Sequence, residues 1–142
     1  GDEPVLVAYG DCLSDIDIQE MVESHRRQQS LATVAIAHPT GRNEILALNE
    51  QGCYIGTKQG KKQKHSWVNA CSMVLEARTF DYLKENQKNH FVLSLMDCLA
   101  AHEPVQTYRH EGFWSPVETI RDKTWMENLW AQHKAPWKVW ED

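Results

Sequence analysis

The sequence predicts an α/β fold, and three consecutive segments near the N-terminus carry the prediction. Residues 4–10 (PVLVAYG) and 31–38 (LATVAIAH) are unbroken apolar runs, which is typical of strands buried on both faces. The segment between them has helical spacing, with four residues on one side: Ile18, Met21, Val22 and His25. A strand, a helix and a strand in this order predict a βαβ unit with a parallel pair of strands.

Shorter elements are predicted after this unit. EILALN and CYIGT flank the three residues EQG and predict a hairpin, and SWVNACSMVL and PVQTYRH are further strand candidates. Two amphipathic helices are expected at about 78–85 and 91–102, and another after Pro116. No internal repeat or low-complexity linker interrupts residues 1–142, so we expect a single domain.

The composition excludes several classes of protein. The net charge is −5, and acids and bases are interspersed, which argues against a nucleic-acid binder. No apolar run approaches the roughly 18 residues of a membrane span, and the N-terminus lacks signal-peptide features, so we expect a cytoplasmic protein. Four cysteines without a C-x-x-C motif predict buried, reduced thiols, and seven scattered histidines do not favour a structural zinc.

Acidic residues follow the first predicted strand. Asp11 comes directly after Gly10 at the carboxyl end of that strand, where an α/β fold binds ligands. It can hold Mg²⁺ against a phosphate, or form an Asx turn or helix cap. Asp15 and Asp17 form a D-x-D motif similar to those that bind metal in sugar transferases, but acids in a first helical turn are also favoured by the helix dipole. The structural interpretation is favoured for this second pair.

The segment EGFWSPVETIRDKTWMENLW, residues 111–130, predicts a helix with an unusual charge distribution. If the helix begins just after Pro116, Glu118 and Asp122 lie inside the same arc as Trp125, Leu129 and Met126. A carboxylate on an apolar face must be hydrogen-bonded, paired or bound to a cation. Two interpretations remain open, a buried ion pair with Arg121 or a site role for at least one acid.

Two further groups of side chains suggest binding. Lys58, Lys61, Lys62 and Lys64 surround a glycine and can reach a phosphate, although solvated loop charge is the usual explanation for such a run. Trp137 and Trp140 near the C-terminus favour a subunit interface over stacking on a base.

Several segments together resemble a known family: YGDCLSDIDI, PTGR, the asparagine of WVNACSMVL and, above all, GFWSPVETIRDKTWMENLWAQHKAPWKVWE. They are similar to the C-terminal portion of the glucose-1-phosphate cytidylyltransferases, which belong to the sugar nucleotidyltransferases. The resemblance runs from about residue 4 to the end. It implies part of a Rossmann-like mixed sheet flanked by helices, which lacks the N-terminal βαβ part with the nucleotide loop.

The resemblance also implies chemistry and site residues. The family joins a nucleoside triphosphate to a sugar 1-phosphate by in-line attack, releases pyrophosphate, and uses Mg²⁺ to screen the phosphates. Asp11 matches a metal-binding aspartate, and Glu118 stands where a second one is usual. The implied substrate contacts are Lys58 or Lys61, Arg42 and Asn69. Structural support is expected from three residues of the final segment: Trp114, Arg121 and Asp122.

The chain also departs from the family pattern. The glycine-rich GGxGTRL loop that wraps the nucleotide is absent from these 142 residues, and the family's NGG is NAC here. One hypothesis is an enzyme part that binds sugar phosphate and nucleotide when an N-terminal half is supplied, and that is inactive alone. The other is a non-catalytic relic that binds a sugar phosphate or serves as an assembly surface. A homo-oligomer is expected, because an exposed sheet edge favours self-association.

Overall fold

The computed structural model describes residues 3–10, 12–38, 45–58, 66–83 and 91–141. Eight strands and four helices lie in these ranges. The strands are β1 Val5–Ala8, β2 Cys12–Ser14, β3 Ala32–Ala37, β4 Ile45–Leu48, β5 Tyr54–Lys58, β6 Val68–Leu75, β7 Gln106–Arg109 and β8 Trp114–Pro116. The helices are α1 Ile18–Gln28, α2 Thr79–Leu83, α3 Phe91–Ala100 and α4 Ile120–Ala131.

The main sheet has four strands in the order β1-β6-β3-β7. β6 is antiparallel to both β1 and β3, whereas β3 and β7 are parallel. Two ribbons accompany the sheet, the predicted β4–β5 hairpin and an antiparallel pairing of β2 with β8. The sheet is therefore mixed, as the sequence resemblance predicts.

Alternation along β3 divides the core into two layers. Ala32, Val34 and Ile36 face a cluster that includes α3 and the β4–β5 hairpin. Ala35 and Ala37 face a second cluster, which contains Met21 of α1 and Trp114 of β8. Because both faces are covered, every residue of β3 is buried, which confirms the prediction from its unbroken apolar run.

Two predictions about the N-terminal βαβ unit are wrong. β1 is an edge strand, and Val5 and Leu6 are 40% and 41% exposed, because β6 is its single neighbour in the sheet as described. β1 and β3 do run in the same direction, but β6 lies between them, so they do not form a parallel pair. The parallel neighbour of β3 is β7 instead.

Helix α1 shows how local sequence sets an element boundary. The carboxylate of Asp17 accepts a hydrogen bond from the backbone N–H of Glu20 at 3.0 Å and caps the helix. The helix ends at Gln28, and its C-cap Gln29 adopts a left-handed backbone conformation with φ 51°. In the ranges that the structure covers, no helix has the length and apolar character needed to span a membrane.

Candidate functional site at the carboxyl edge of the sheet

The carboxyl ends of β1, β3 and β7 lie at one edge of the main sheet. This follows from the register, because β1 and β3 are both antiparallel to β6 and β7 is parallel to β3. Gly10, His38 and His110 come directly after these strands or within two residues of them. Ligands of α/β proteins bind at such an edge, so its side chains are the first candidates for a site.

A cleft of about 510 Å³ opens beside the end of β1. Tyr9 and Gly10 form one wall of the cleft and β2 forms another, while residues 70–72 of β6 form its floor. Trp137 and Trp140 from the C-terminal segment line the same cleft. The volume is within the range of small-molecule sites.

A bulge in β6 shapes the floor of this cleft. Val34 pairs with Met73 and Ile36 pairs with Asn69, so two steps along β3 correspond to four along β6. Because side chains alternate between the two faces of a strand with a period of two, the two extra residues do not change which faces the side chains of β6 occupy on either side of the bulge. Cys71 lies in the bulge with φ 68°, a left-handed conformation that is uncommon for a residue with a side chain.

Asn69 holds the bulge in place. Its Oδ1 accepts a hydrogen bond from the backbone N–H of Cys71 at 2.8 Å and another from the hydroxyl of Tyr9 at 2.5 Å. Its Nδ2 contacts the sulfur of Met96 at 3.6 Å. Burial raises the pKa of Tyr9 well above its usual range, so the hydroxyl keeps its proton and donates. The side chain that sequence resemblance assigns to substrate is thus engaged with protein groups.

Cys12 and Cys71 meet in the cleft. Their Sγ atoms are 2.6 Å apart, and both residues are half-buried and line the cavity. The backbone N–H of Tyr9 donates to the carbonyl of Cys71 at 3.1 Å, which ties the end of β1 to the same point. The expectation of reduced cysteines did not include this juxtaposition.

A second cluster occupies the ends of β3 and β7. The rings of His38 and Trp67 stack with their centroids 4.2 Å apart, and the guanidinium of Arg109 lies 5.4 Å from the Trp67 ring centroid. His38 Nδ1 is 3.1 Å from the carbonyl of Ser66, and its Nε2 is 3.3 Å from a carboxylate oxygen of Glu111. The carboxyl edge therefore also carries a half-buried aromatic stack, with the exposed side chains of Arg109 and Glu111 beside it.

The side chain of Asp15 packs closely against His110 and Gly112. Its Oδ1 lies 3.0 Å from Nε2 of His110, which also contacts the carbonyl of Phe113 at 2.8 Å. One Nε2 hydrogen cannot serve both oxygens well, and Asp15 Oδ1 is left without an aligned donor. A Cβ on Gly112 would come within 2.5 Å of that oxygen, so the backbone approaches closely here. Asp17 caps α1, which agrees with the structural interpretation of the D-x-D motif, whereas Asp15 lies before the helix and packs against His110.

The prediction that Glu118 and Asp122 share the buried face of a helix is wrong. Residues 114–116 pair with β2, and α4 starts at Ile120 with Thr119 as its N-cap. Glu118 therefore precedes the helix and is exposed, while Asp122 closes a capping box with Thr119.

The carboxylate of Asp122 organises the start of α4. It accepts hydrogen bonds from the backbone N–H groups of Glu118 at 3.1 Å and Thr119 at 3.2 Å. These bonds hold the pKa of Asp122 below its usual range. The bond from Glu118 has the largest effect, and the charge of Arg121 has the smallest. The expected buried ion pair between Arg121 and Asp122 is replaced by a cap, and Arg121 is exposed.

Trp114 lies where the ribbon meets the sheet. Its side chain is buried in the second core cluster, and its Nε1 donates a hydrogen bond to the carbonyl of Ala70 at 3.2 Å. Ala70 adjoins the bulge and lines the cleft. Trp114 therefore connects the β2–β8 ribbon to the cleft floor.

Several predicted site residues lie outside the described residues: Asp11, Arg42 and Lys61. Lys58 is the last residue of β5, but its side chain also lies outside the description. Among the described residues, no three histidine, cysteine or acidic side chains gather as a metal-binding group. Sequence reasoning missed the contacts of Tyr9, Cys12 and Cys71. The sequence G-D-C at residues 10–12 and the substitution of NAC for NGG are the signals that pointed to this part of the chain.

Searches of known proteins extend the sequence resemblance. The chain is 33% identical to a glucose-1-phosphate cytidylyltransferase of Salmonella typhi and 31% identical to that of Salmonella typhimurium. A probable glucose-1-phosphate cytidylyltransferase of Bacillus subtilis is 29% identical. Each alignment covers 99% of this chain and 54% of the relative, so the chain spans about half the length of these relatives. No family model matches the chain.

Solved structures with the same fold include two bacterial proteins. A provisionally named glucose-1-phosphate thymidylyltransferase of Bacillus anthracis matches the whole chain over 58% of its own length, with a TM-score of 0.74 and 17% identity. HddC of Yersinia pseudotuberculosis matches 86% of the chain over 53% of its own length, with a TM-score of 0.67 and 16% identity. The chain thus has part of a Rossmann-like nucleotidyltransferase fold, and over nearly all its residues it is similar to about half of a glucose-1-phosphate cytidylyltransferase.

Proposed function

We propose that the chain supplies one side of a sugar-1-phosphate nucleotidyltransferase site, which joins CTP to glucose 1-phosphate and releases pyrophosphate. The pairing of β2 with β8 carries the proposal. Cys12 pairs with Pro116 at one end of the ribbon. Asp11 directly precedes Cys12 in the sequence, and Glu118 comes two residues after Pro116. In the sequence, the two acids that the family resemblance assigns to metal are thus close to these paired residues.

The donor type at this end of the ribbon suits a divalent cation. Glu118 is exposed, and no hydrogen bond or ion pair joins its carboxylate to another described residue. Carboxylate oxygens are the protein ligands that Mg²⁺ prefers, and Glu118 would hold the ion together with Asp11. When bound, the ion would screen the phosphate charges. Two carboxylates leave most of an octahedral shell to water and phosphate, so we expect weak binding of the metal alone.

The cleft is the proposed position of the sugar. Trp137 and Trp140 offer ring surfaces that can cover the C–H face of a sugar ring, beside the polar backbone of the β6 bulge. Asn69 acts indirectly in this proposal, because its amide positions Cys71 and Tyr9. Lys58, Lys61 and Arg42 remain proposed phosphate contacts.

Binding of the nucleotide phosphates requires a segment that these 142 residues do not contain. These 142 residues contain no GGxGTRL loop, and phosphoryl transfer depends on positioning and charge neutralisation by such a cradle. We therefore expect no pyrophosphate release from CTP and glucose 1-phosphate by this polypeptide alone. Activity is expected when an N-terminal half is supplied, in a longer chain or as a second polypeptide.

Calorimetric titration with glucose 1-phosphate in the presence of Mg²⁺ tests the proposal. We expect Glu118→Gln to weaken binding about tenfold, because a charge-assisted contact through the metal is lost. Glu127→Gln is the matched control, since Glu127 is an exposed acid of α4 paired with Lys123 at 3.4 Å. Equal binding by wild type and Glu118→Gln, or an equal loss in the control, would contradict the proposal.

A second candidate function is that of a non-catalytic assembly module. It is favoured by the exposed apolar residues of edge strand β1 and by α4, where Ile120 is 84% exposed and Trp125 and Trp130 are about half exposed. Unpaired strand edges and apolar patches favour association between chains. Sedimentation of the wild type and a Leu6→Lys variant tests this candidate. It predicts an oligomer that the variant weakens, and a monomeric wild type would refute it.

A further inference from the structure

The contact between Cys12 and Cys71 joins two separate parts of the fold. Cys12 begins β2 of the ribbon, and Cys71 lies in the bulge of β6 in the main sheet, 59 positions later in the sequence. Their sulfur atoms are 2.6 Å apart, and a disulfide bond is about 2.05 Å long. The separation of the sulfur atoms therefore exceeds the bond length by roughly half an ångström.

The backbone on both sides fixes this contact. Cys71 is held in its left-handed conformation by Asn69, and its carbonyl accepts a hydrogen bond from Tyr9. Gly10 adopts φ 75°, a backbone conformation that favours glycine, and its Cβ position lies 3.4 Å from Cys71 Sγ, at van der Waals contact. Cys12 is held by the pairing of β2 with β8. Hydrogen-bonded backbone, the bulge of β6 on one side and the pairing of β2 with β8 on the other, thus brings the two thiols together.

We propose that Cys12 and Cys71 form a reversible dithiol–disulfide site on the floor of the cleft. The oxidant is a small-molecule disulfide of the glutathione class. One cysteine thiolate attacks it, forms a mixed disulfide and releases one glutathione thiolate. The other cysteine thiolate then attacks the protein sulfur of the mixed disulfide and releases the second glutathione. Two thiol protons pass to solvent, the protein loses two electrons, and oxidised glutathione gains them.

Oxidation fastens the β2–β8 ribbon to the main sheet at the cleft. Asp11 directly precedes Cys12 in the sequence, so the crosslink restrains the residue that follows it. The crosslink closes a long loop in the unfolded chain, which raises the urea concentration at the unfolding midpoint. The formation of this bond does not depend on the proposed function.

The test uses the 142-residue protein, incubated in buffers of increasing oxidised-to-reduced glutathione ratio and then blocked with N-ethylmaleimide. Tryptic digestion separates the four cysteines into peptides 1–26, 43–58, 65–78 and 89–109. We expect peptides 1–26 and 65–78 to be joined, with a mass about 2 Da below their sum, and dithiothreitol to separate them. The urea midpoint of the oxidised protein should be higher than that of the reduced protein.

Variants separate the site from general thiol reactivity. Cys12→Ser and Cys71→Gly should abolish the joined peptide, whereas Cys98→Ser should retain it. Cys71→Gly suits the left-handed backbone, and circular dichroism verifies that each variant is folded. Glutathione adducts on the wild-type protein without the joined peptide, or joined peptides that contain Cys53 or Cys98 instead, would overturn the proposal.

Discussion

Replacing Gly112 with alanine tests whether Asp15 is a packing residue. The new Cβ would lie 2.5 Å from Asp15 Oδ1 and 2.9 Å from His110 Cε1. Carbon and oxygen atoms that are not bonded to each other rest at about 3.3 Å or more, so one of these groups must move by most of an ångström. His110 cannot swing away freely, because its Nε2 also contacts the carbonyl of Phe113.

Such overpacking costs about 1–3 kcal/mol of the free energy of unfolding. For a chain of this length we expect the thermal midpoint to fall by roughly 3–10 °C. Urea unfolding followed by circular dichroism measures the free energy, and thermal scans measure the midpoint. An unchanged stability of Gly112→Ala would refute the close approach.

A double-mutant cycle that combines Gly112→Ala with Asp15→Ala tests whether the new methyl group clashes with the carboxylate of Asp15. Removal of the carboxylate opens space for the new methyl group, so the double variant should lose about 1 kcal/mol less stability than the sum of the single variants. Additive losses would mean that Asp15 does not cause the clash. They would also reopen the metal interpretation of the D-x-D motif.

Three further predictions concern buried or capping groups. Burial lowers the pKa of His25 below its ordinary value of about 6.5, so the stability that the neutral ring contributes should be complete above pH 6.5 and decline as the pH falls below it. In the His25→Gln variant, the urea concentration at the unfolding midpoint should therefore change less between pH 7 and 5 than in the wild type. Thr119→Ala removes the N-cap of α4 and should cost about 1 kcal/mol in urea unfolding, whereas Thr119→Ser should cost little. Cys71→Gly should be about 1 kcal/mol more stable than Cys71→Ala, because the alanine keeps a side chain at φ 68°; equal stabilities would contradict the argument from backbone strain.

The sequence predicts the central part of the fold well. β3 is buried on both faces and has no polar alternation, so its local pattern contains the information. The β1 segment has the same pattern but lies at an edge, because its environment is set by β6, more than sixty residues away. Local periodicity cannot distinguish these two positions.

The error at α4 has a local cause. The prediction starts the helix after Pro116, whereas Pro116 ends β8 and Thr119 caps the helix. The sequence T-x-x-D at Thr119 and Asp122 is a capping box that indicates the correct start. The shift moves Glu118 out of the helix and leaves it exposed, which changes the chemistry available to it.

The cleft depends on contacts that no local pattern contains. Asn69 lies in a segment that resembles the family, but the bonds of its amide to Tyr9 and Cys71 follow from the pairing of β6 with β1 and from the bulge of β6 opposite β3. Likewise, Cys12 and Cys71 meet because a bulge and a glycine turn coincide at one edge of the sheet. Sequence resemblance can identify such positions, whereas geometry is needed to say what their side chains contact.

The most direct test of the proposed site is paramagnetic broadening by Mn²⁺ in the presence of glucose 1-phosphate. We expect the amide signals of Gly10, Cys12 and Glu118 in the ¹⁵N-labelled chain to broaden first, because Gly10 and Cys12 adjoin Asp11 and Glu118 is itself a proposed ligand. An Asp11→Asn variant should lose this effect. Broadening centred elsewhere, or unchanged in the variant, would contradict a metal site between Asp11 and Glu118.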